Sequence, residues 1–222
     1  MNGIVIKSID YKESSKIVYI YSKNGLNGYK LLSVKNKKNT SLGNFITGNV
    51  IEFSYTNASF PSIIDFHTIK SSMDLVNDIN KLEVLRIMIE VINYIPQDSN
   101  NDLMYNFIEK SFIALSSNID PYKVLDIFLI KMLYVFGINP ILKCCAKCGS
   151  VSNFLSFSIV DGGILCMNCT TIKNDSYIYW QEYYYSKKEI EEYSDCNFIE
   201  LLKEINKYYL INAHINLNIK IA

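Results

Sequence analysis

Hydrophobic and polar positions along the chain change period once, near residue 70. Before that point the pattern is that of short strands. Gly3 to Ile9 and Lys16 to Ser22 are dense in β-branched and aromatic residues, and Asn24-Gly25 supplies hairpin turn chemistry. Gly28 to Val34 predicts a third strand, Asn49 to Tyr55 an alternating fourth and Ile63 to Ile69 a fifth. Five short strands separated by turn signals suggest a small barrel of the oligonucleotide-binding (OB) kind; an SH3-like barrel fits nearly as well.

Beyond Lys70 the apolar positions recur at helical spacing. Ser72 or Asp74 caps a predicted helix running to about Ile95, with Leu75, Ile79, Leu82, Leu85, Met88, Ile89 and Ile92 on one face. A second helix covers Leu103 to Ser116. Asp120-Pro121 opens a third that runs to Phe136 and stops at Gly137 and Pro140. From Val124 to Val135 this third helix is apolar on nearly every side, which places it at the centre of a helical bundle, with Lys131 either snorkelling out of it or facing an anion, snorkelling being favoured. Phe154 to Val160 alternates as a strand, Asp161-Gly162-Gly163 turns it, and Ile164-Leu165 leads back. Tyr177 to Tyr185, around Trp180, reads as irregular; a short helix near Ser186–Tyr193 and a longer one from Phe198 to His214 follow. The expected fold class is α+β: an OB-like barrel over 1–72, a helical bundle over 73–143 and 176–222, and a cysteine-bearing insert over 144–175.

That insert changes the picture most. Cys145-Ala146-Lys147-Cys148-Gly149 is followed, after seventeen intervening residues from Cys148, by Cys166-Met167-Asn168-Cys169. Each C-x-x-C lets two thiolates converge on one ion, and two of them close a tetrahedral shell. The expectation is one structural Zn²⁺ held by Cys145, Cys148, Cys166 and Cys169, without the open position that catalytic zinc keeps. Cys144 offers an alternative partner for Cys148, although the two-residue spacing and Gly149 favour Cys145. A disulfide scaffold suits a short secreted chain, which this sequence does not resemble.

Composition adds a charge asymmetry. Twenty-two basic and twenty-two acidic residues cancel over the chain, yet residues 1–75 hold nine lysines against five carboxylates and the remainder is correspondingly acidic. The amino-terminal part is therefore the candidate for a polyanionic partner. Lys35, Lys37 and Lys38 would form a basic loop between strands three and four, with Lys12 and Lys16 nearby, and Tyr19, Tyr21, Tyr29 and Phe53 are the base-stacking platforms if they face outward. The first residues lack a basic region followed by an apolar stretch, and the most apolar segment is too short to span a bilayer, so a cytoplasmic protein is expected.

Catalytic signatures are missing from the sequence. It contains neither GxGxxG nor a Walker-type loop, its two histidines (His67 and His214) stand outside any motif, and Cys196 has no activating cation near it in sequence. A non-enzymatic role is expected.

The order of parts, with particular residues, resembles the RecO family of bacterial recombination mediators. The matching residues are Tyr11-Lys12-Glu13-Ser14-Ser15-Lys16-Ile17-Val18, the basic Val34 to Lys38, Lys131 to Pro140 leading into Cys145 to Gly149, and the return through Phe157, Gly162 to Cys166 and Cys169. The resemblance implies a DNA repair factor of the RecF pathway that binds single- and double-stranded DNA and anneals complementary strands. It implies RecR, the acidic tail of SSB and, indirectly, RecA as partners, and a nucleoid-associated location. The family's basic residues are sparse in this barrel and lysines replace arginines: Arg86 is the only arginine. A zinc-ribbon module of transcription or translation is the competing expectation, weakened by the few basic residues (Lys143, Lys147, Lys173) near the cysteines.

Overall fold

The computed structural model describes residues 1–32, 45–99 and 102–219, so the predicted basic loop with Lys35, Lys37 and Lys38 lies outside the described residues. The fold is α+β. These residues divide into two compact units, Met1–Asn118 and Ile119–Ala222.

The first unit holds the five strands read from the alternation: β1 (Asn2–Tyr11), β2 (Ser15–Ser22), β3 (Gly25–Leu31), β4 (Val50–Tyr55) and β5 (Ile63–Lys70). Their ladders form one antiparallel sheet in the order β3-β2-β1-β4-β5. Among the described residues no ladder closes this sheet into a barrel. Its edge strands approach at a single parallel bridge, Lys30↔Ser62, beside a hydrogen bond from the Lys30 N–H to the Pro61 carbonyl (2.8 Å). One face buries Val5, Val18, Ile20, Tyr29, Leu31, Phe45, Ile51 and Phe53 as a core. The opposite face of β1 is covered too, because Ile4 and Ile6 are also buried. Helices α1 (Ile79–Asn93) and α2 (Asp102–Leu115) belong to the same unit. Asp78 caps α1 by accepting from the N–H groups of Asn80 and Lys81, and Ser71 caps a separate 3₁₀ turn before it (Ser72–Leu75). The predicted first helix is thus two elements. Glu109 on α2 accepts from the Asn2 amide (3.0 Å) and the Tyr105 hydroxyl (3.1 Å), tying the helix to β1.

The second unit is built on α3 (Pro121–Val135), capped by the Asp120 carboxylate with Pro121 at its first turn. Its residues from Lys123 to Ile130 are all buried, as an all-round apolar helix requires. Around it lie the hairpin β6 (Phe154–Ser158) and β7 (Gly163–Cys166), α4 (Ser176–Tyr185) and α5 (Phe198–Ala213). The tyrosine-rich passage predicted to be irregular is α4. The short helix predicted near Ser186–Tyr193 is only a 3₁₀ turn, Ile190–Glu192. Ile190 and Tyr193 are its only buried side chains, too few to form an apolar stripe. Among the described residues no helix is long and apolar enough to cross a membrane.

Candidate metal centre and the lysine-bearing sheet

Each cysteine pair sits on a turn stitched by its own backbone. In the first, the Cys145 N–H donates to the Ser150 carbonyl (2.7 Å) and the Gly149 N–H to the Cys145 carbonyl (2.9 Å). Gly149 has φ +76, a left-handed conformation that a side chain would strain. In the second, the N–H groups of Cys169 and Thr170 converge on the Cys166 carbonyl (2.9 and 3.2 Å). The hairpin joins the two turns: Phe154 pairs with Cys166, and Ser158 with Gly163 across a turn closed by Ser158 and Asp161 (2.6 Å).

A third strand-like contact aligns them. Ile141 bridges Gly163 in parallel, accepting from the Ile164 N–H and donating to the Gly162 carbonyl, each at 2.9 Å. A Cβ at Gly163 would stand 2.4 Å from the Ile141 oxygen, so only glycine allows that approach. The Ala146 N–H then reaches the Ile164 carbonyl (2.8 Å), which brings the first turn alongside β7.

The outcome is that Sγ of Cys145, Cys148, Cys166 and Cys169 all lie within 4.8 Å of one another, with Cys148 and Cys166 at 3.5 Å. Four thiolates each about 2.3 Å from one zinc ion stand about 3.8 Å apart. The donor set therefore fits one ion in a closed tetrahedral shell. Cys144 is not in this group; it is adjacent to Tyr185, whose pKa it helps to raise after burial. Burial opposes the Cys145 thiolate, but N–H donors from Cys166, Cys148 and Lys147 outweigh it and lower its pKa to about 6. Cys169 is pushed up to about 12, first by its contact with Cys148 and then by burial.

Two buried layers, neither signalled by the residue pattern, seat the hairpin on the helices. Phe157 of β6 stacks on Trp180 of α4, with centroids 4.1 Å apart and planes 6° from parallel, and Tyr208 of α5 packs against both. Below them Glu204 of α5 accepts from the Trp180 indole (2.5 Å), the Ser176 hydroxyl (2.9 Å) and the Asn174 amide (3.0 Å). Burial nevertheless raises the Glu204 pKa against those three donors. Lys131 does not snorkel. Its ammonium donates to the Tyr184 carbonyl (3.1 Å) and to the Ser186 carbonyl, closing the carboxyl end of α4, where the helix dipole favours a cation. On α3, Lys123 is buried and paired with Asp195 (2.8 Å), while both Asp126 oxygens are buried without a hydrogen-bond partner. Burial, then Asp120, raises the Asp126 pKa well above its ordinary value, which favours the neutral form.

The remaining predicted site residues lie on the first unit. Lys12 is exposed in the β1–β2 turn, in a left-handed conformation (φ 55) with its ammonium 5.4 Å from the Tyr11 ring. Lys16 starts β2 and contacts Asp10 across the ladder (3.4 Å). Of the four aromatic platforms, Tyr21, Tyr29 and Phe53 are buried and belong to packing instead. Only Tyr19 is partly accessible, and Lys7 lies over its ring at 4.5 Å. Lys30 over Phe60 (4.6 Å) repeats the arrangement. Neither Lys7 nor Lys30 was anticipated as a contact; strand pairing alone, Lys7 opposite Tyr19, would have suggested the first.

Comparison with known proteins places these parts in one lineage. The relatives include "DNA repair protein RecO" of Halalkalibacterium halodurans, 28% identical over 181 residues (80% of this chain and 70% of that one). The proteins of the same name from Acetivibrio thermocellus and Caldicellulosiruptor saccharolyticus are 25% identical over 182 residues and 29% over 173; they cover 78% and 75% of this chain, and 70% of each relative is covered. The family described as "Recombination protein O C terminal" matches residues 76–191. As that match spans more than half of the 222 residues and includes both cysteine turns, the chain belongs to the RecO family.

Proposed function

We propose that this chain is a DNA repair and recombination mediator that performs no bond chemistry. It binds single- and double-stranded DNA without sequence preference, brings complementary strands together and, with RecR, assists RecA loading on strands coated by SSB, whose acidic tail it contacts. The site of action is the cytoplasmic nucleoid. The observation that carries this reading is family membership, with relatives named DNA repair protein RecO.

The sheet supports it physically. We read it as an OB-like unit whose parallel approach at Lys30 and Ser62 is the place where such a barrel would close. Annealing requires enough positive charge to hold two repelling strands and contacts loose enough for a register search. Lys12 and Lys16, with Lys35, Lys37 and Lys38, provide point charges of that kind, and lysine lacks the bidentate geometry that would fix a register. Zinc, in this reading, is a structural ion that folds the hairpin and takes no part in strand contact.

The test is strand annealing on SSB-coated oligonucleotides with and without RecR. Acceleration that falls steeply with salt is expected. Unchanged annealing rates in both conditions would remove the mediator reading.

A further inference from the structure

A second cationic surface lies on the other unit, at the carboxyl end of α4, far in sequence from the sheet. Three lysines surround it: Lys131 on its last carbonyls, Lys187 just after it, and Lys143, just before the first cysteine turn, over the ring of Tyr185. Lys187 is near enough to lower the Lys131 pKa, which burial and then this neighbour bring to about 8. Tyrosines are interleaved with them. Lys143 stands 5.5 Å from the Tyr185 ring and Lys131 5.8 Å from that of Tyr193. Tyr184 and Tyr185 meet edge to face at 5.1 Å, and Tyr134, 74% exposed, is close enough to Tyr184 to raise its pKa. Tyr184 is held by Asn139 (2.5 Å), so the group is positioned from three sides.

The charge at this place is only partly offset, by Glu182 and Glu189 near Tyr193. Among the described residues Lys131, Lys143 and Lys187 have no carboxylate partner, while their neighbours Lys147 and Lys188 are paired with Asp161 (3.6 Å) and Glu182 (3.0 Å). Like charges gathered beside exposed aromatic rings carry a standing repulsion that a polyanion relieves. Rings edged by ammonium groups also stack bases of any identity.

We infer that Lys143 and Lys187, with Tyr134 and Tyr185, form a second contact for single-stranded nucleic acid, separate from the sheet: the lysines hold backbone phosphates and the rings stack bases. Lys131 is the positioning residue, because its ammonium is committed to the end of α4. Two nucleic-acid surfaces on one chain would let annealing hold each strand by a different unit.

Full-length, zinc-loaded protein is titrated with labelled oligo-dT and with a duplex of equal length across a salt series. The variants are Lys143→Gln with Lys187→Gln, Tyr134→Ala with Tyr185→Ala, and, as a separate arm, Lys12→Gln with Lys16→Gln in the sheet. The lysine pair is expected to reduce the slope of log affinity against log salt on oligo-dT by about 1.4. The tyrosine pair should weaken oligo-dT about tenfold or more and duplex far less. Unchanged slope and affinity in both patch variants overturns the inference whatever the sheet variants do. Loss in the patch variants with no change in the sheet variants sustains it and removes the sheet reading instead. A poly-glutamate peptide that binds wild type but not the patch variants, while oligo-dT binds all of them equally, would assign the surface to an acidic protein segment and overturn it as well.

Discussion

The sheet of the first unit and the cysteine hairpin of the second achieve their purposes by opposite means. Around the hairpin key positions have a stereochemical assignment: Gly149 because of its φ, Gly163 because of the Ile141 oxygen 2.4 Å away, and four sulfurs gathered as a tetrahedral shell would need. The sheet holds its cations loosely. Lys12 sits on a turn, Lys16 shares its charge with Asp10, and Lys7 and Lys30 lie over rings. Coordination fails as a whole when one ligand is lost, whereas phosphate contacts sum and fail by degrees. The region that identifies the family is therefore the brittle one, and the region proposed to meet DNA is the tolerant one.

The sharpest way to break this contrast is Cys166→Ser, or removal of metal by a chelator. Either should abolish the hairpin's fold, seen as loss of amide protection from Phe154 to Cys166 in hydrogen exchange and of bound zinc from one ion per chain to none. Retained protection without metal would show that the fold does not depend on the shell. A smaller effect is expected for Trp180→Ala, which empties the layer between β6 and α5 and should cost about 3–5 kcal/mol in denaturant unfolding while zinc stays bound. Equal loss of zinc would mean that seating and coordination cannot be separated.

The smallest is a pH effect at Asp126. Its folded pKa is raised above its unfolded one, so the native state keeps a proton that the unfolded chain gives up, and stability falls as pH rises from the ordinary carboxylate range toward the raised value. Asp126→Asn should therefore leave melting near pH 4 almost unchanged and raise it progressively at higher pH. A constant difference across pH would show that the carboxyl is not buried neutral; Asp120, Tyr183 and Cys196 are the titrating groups coupled to it.

The same contrast explains what could be read from the chain. Strands whose apolar residues alternate, such as Asn49 to Tyr55, and helices with a stripe, such as Phe198 to His214, were legible because period encodes burial. The C-x-x-C pairs were legible because ligand spacing is local chemistry. Helix α4 was not: Tyr177 to Tyr185 is aromatic on every side, so no face stands out, and the contacts that shape it, Phe157 on Trp180 and Lys131 on its last carbonyls, come from residues about 20 to 55 positions away in sequence. Glu204 and Asp126 were illegible for a related reason. A carboxylate's usual place is the surface, and only the folded neighbours reveal one as an acceptor for three donors and the other as a buried carboxyl without a partner. Sequence could not distinguish Tyr21, Tyr29 and Phe53 as core from the same residues as platforms, because strand alternation does not say which face meets the core.

The stack of Phe157 on Trp180 has one consequence of a different kind. Trp180 is the only tryptophan in the chain, fully buried, with its indole N–H on a carboxylate. Excitation of indole in this protein therefore addresses a single place, the seam between the hairpin and its helices. Emission that moves to longer wavelength would announce water at that seam, so the chain carries its own optical gauge of whether the cysteine-bearing hairpin is in position.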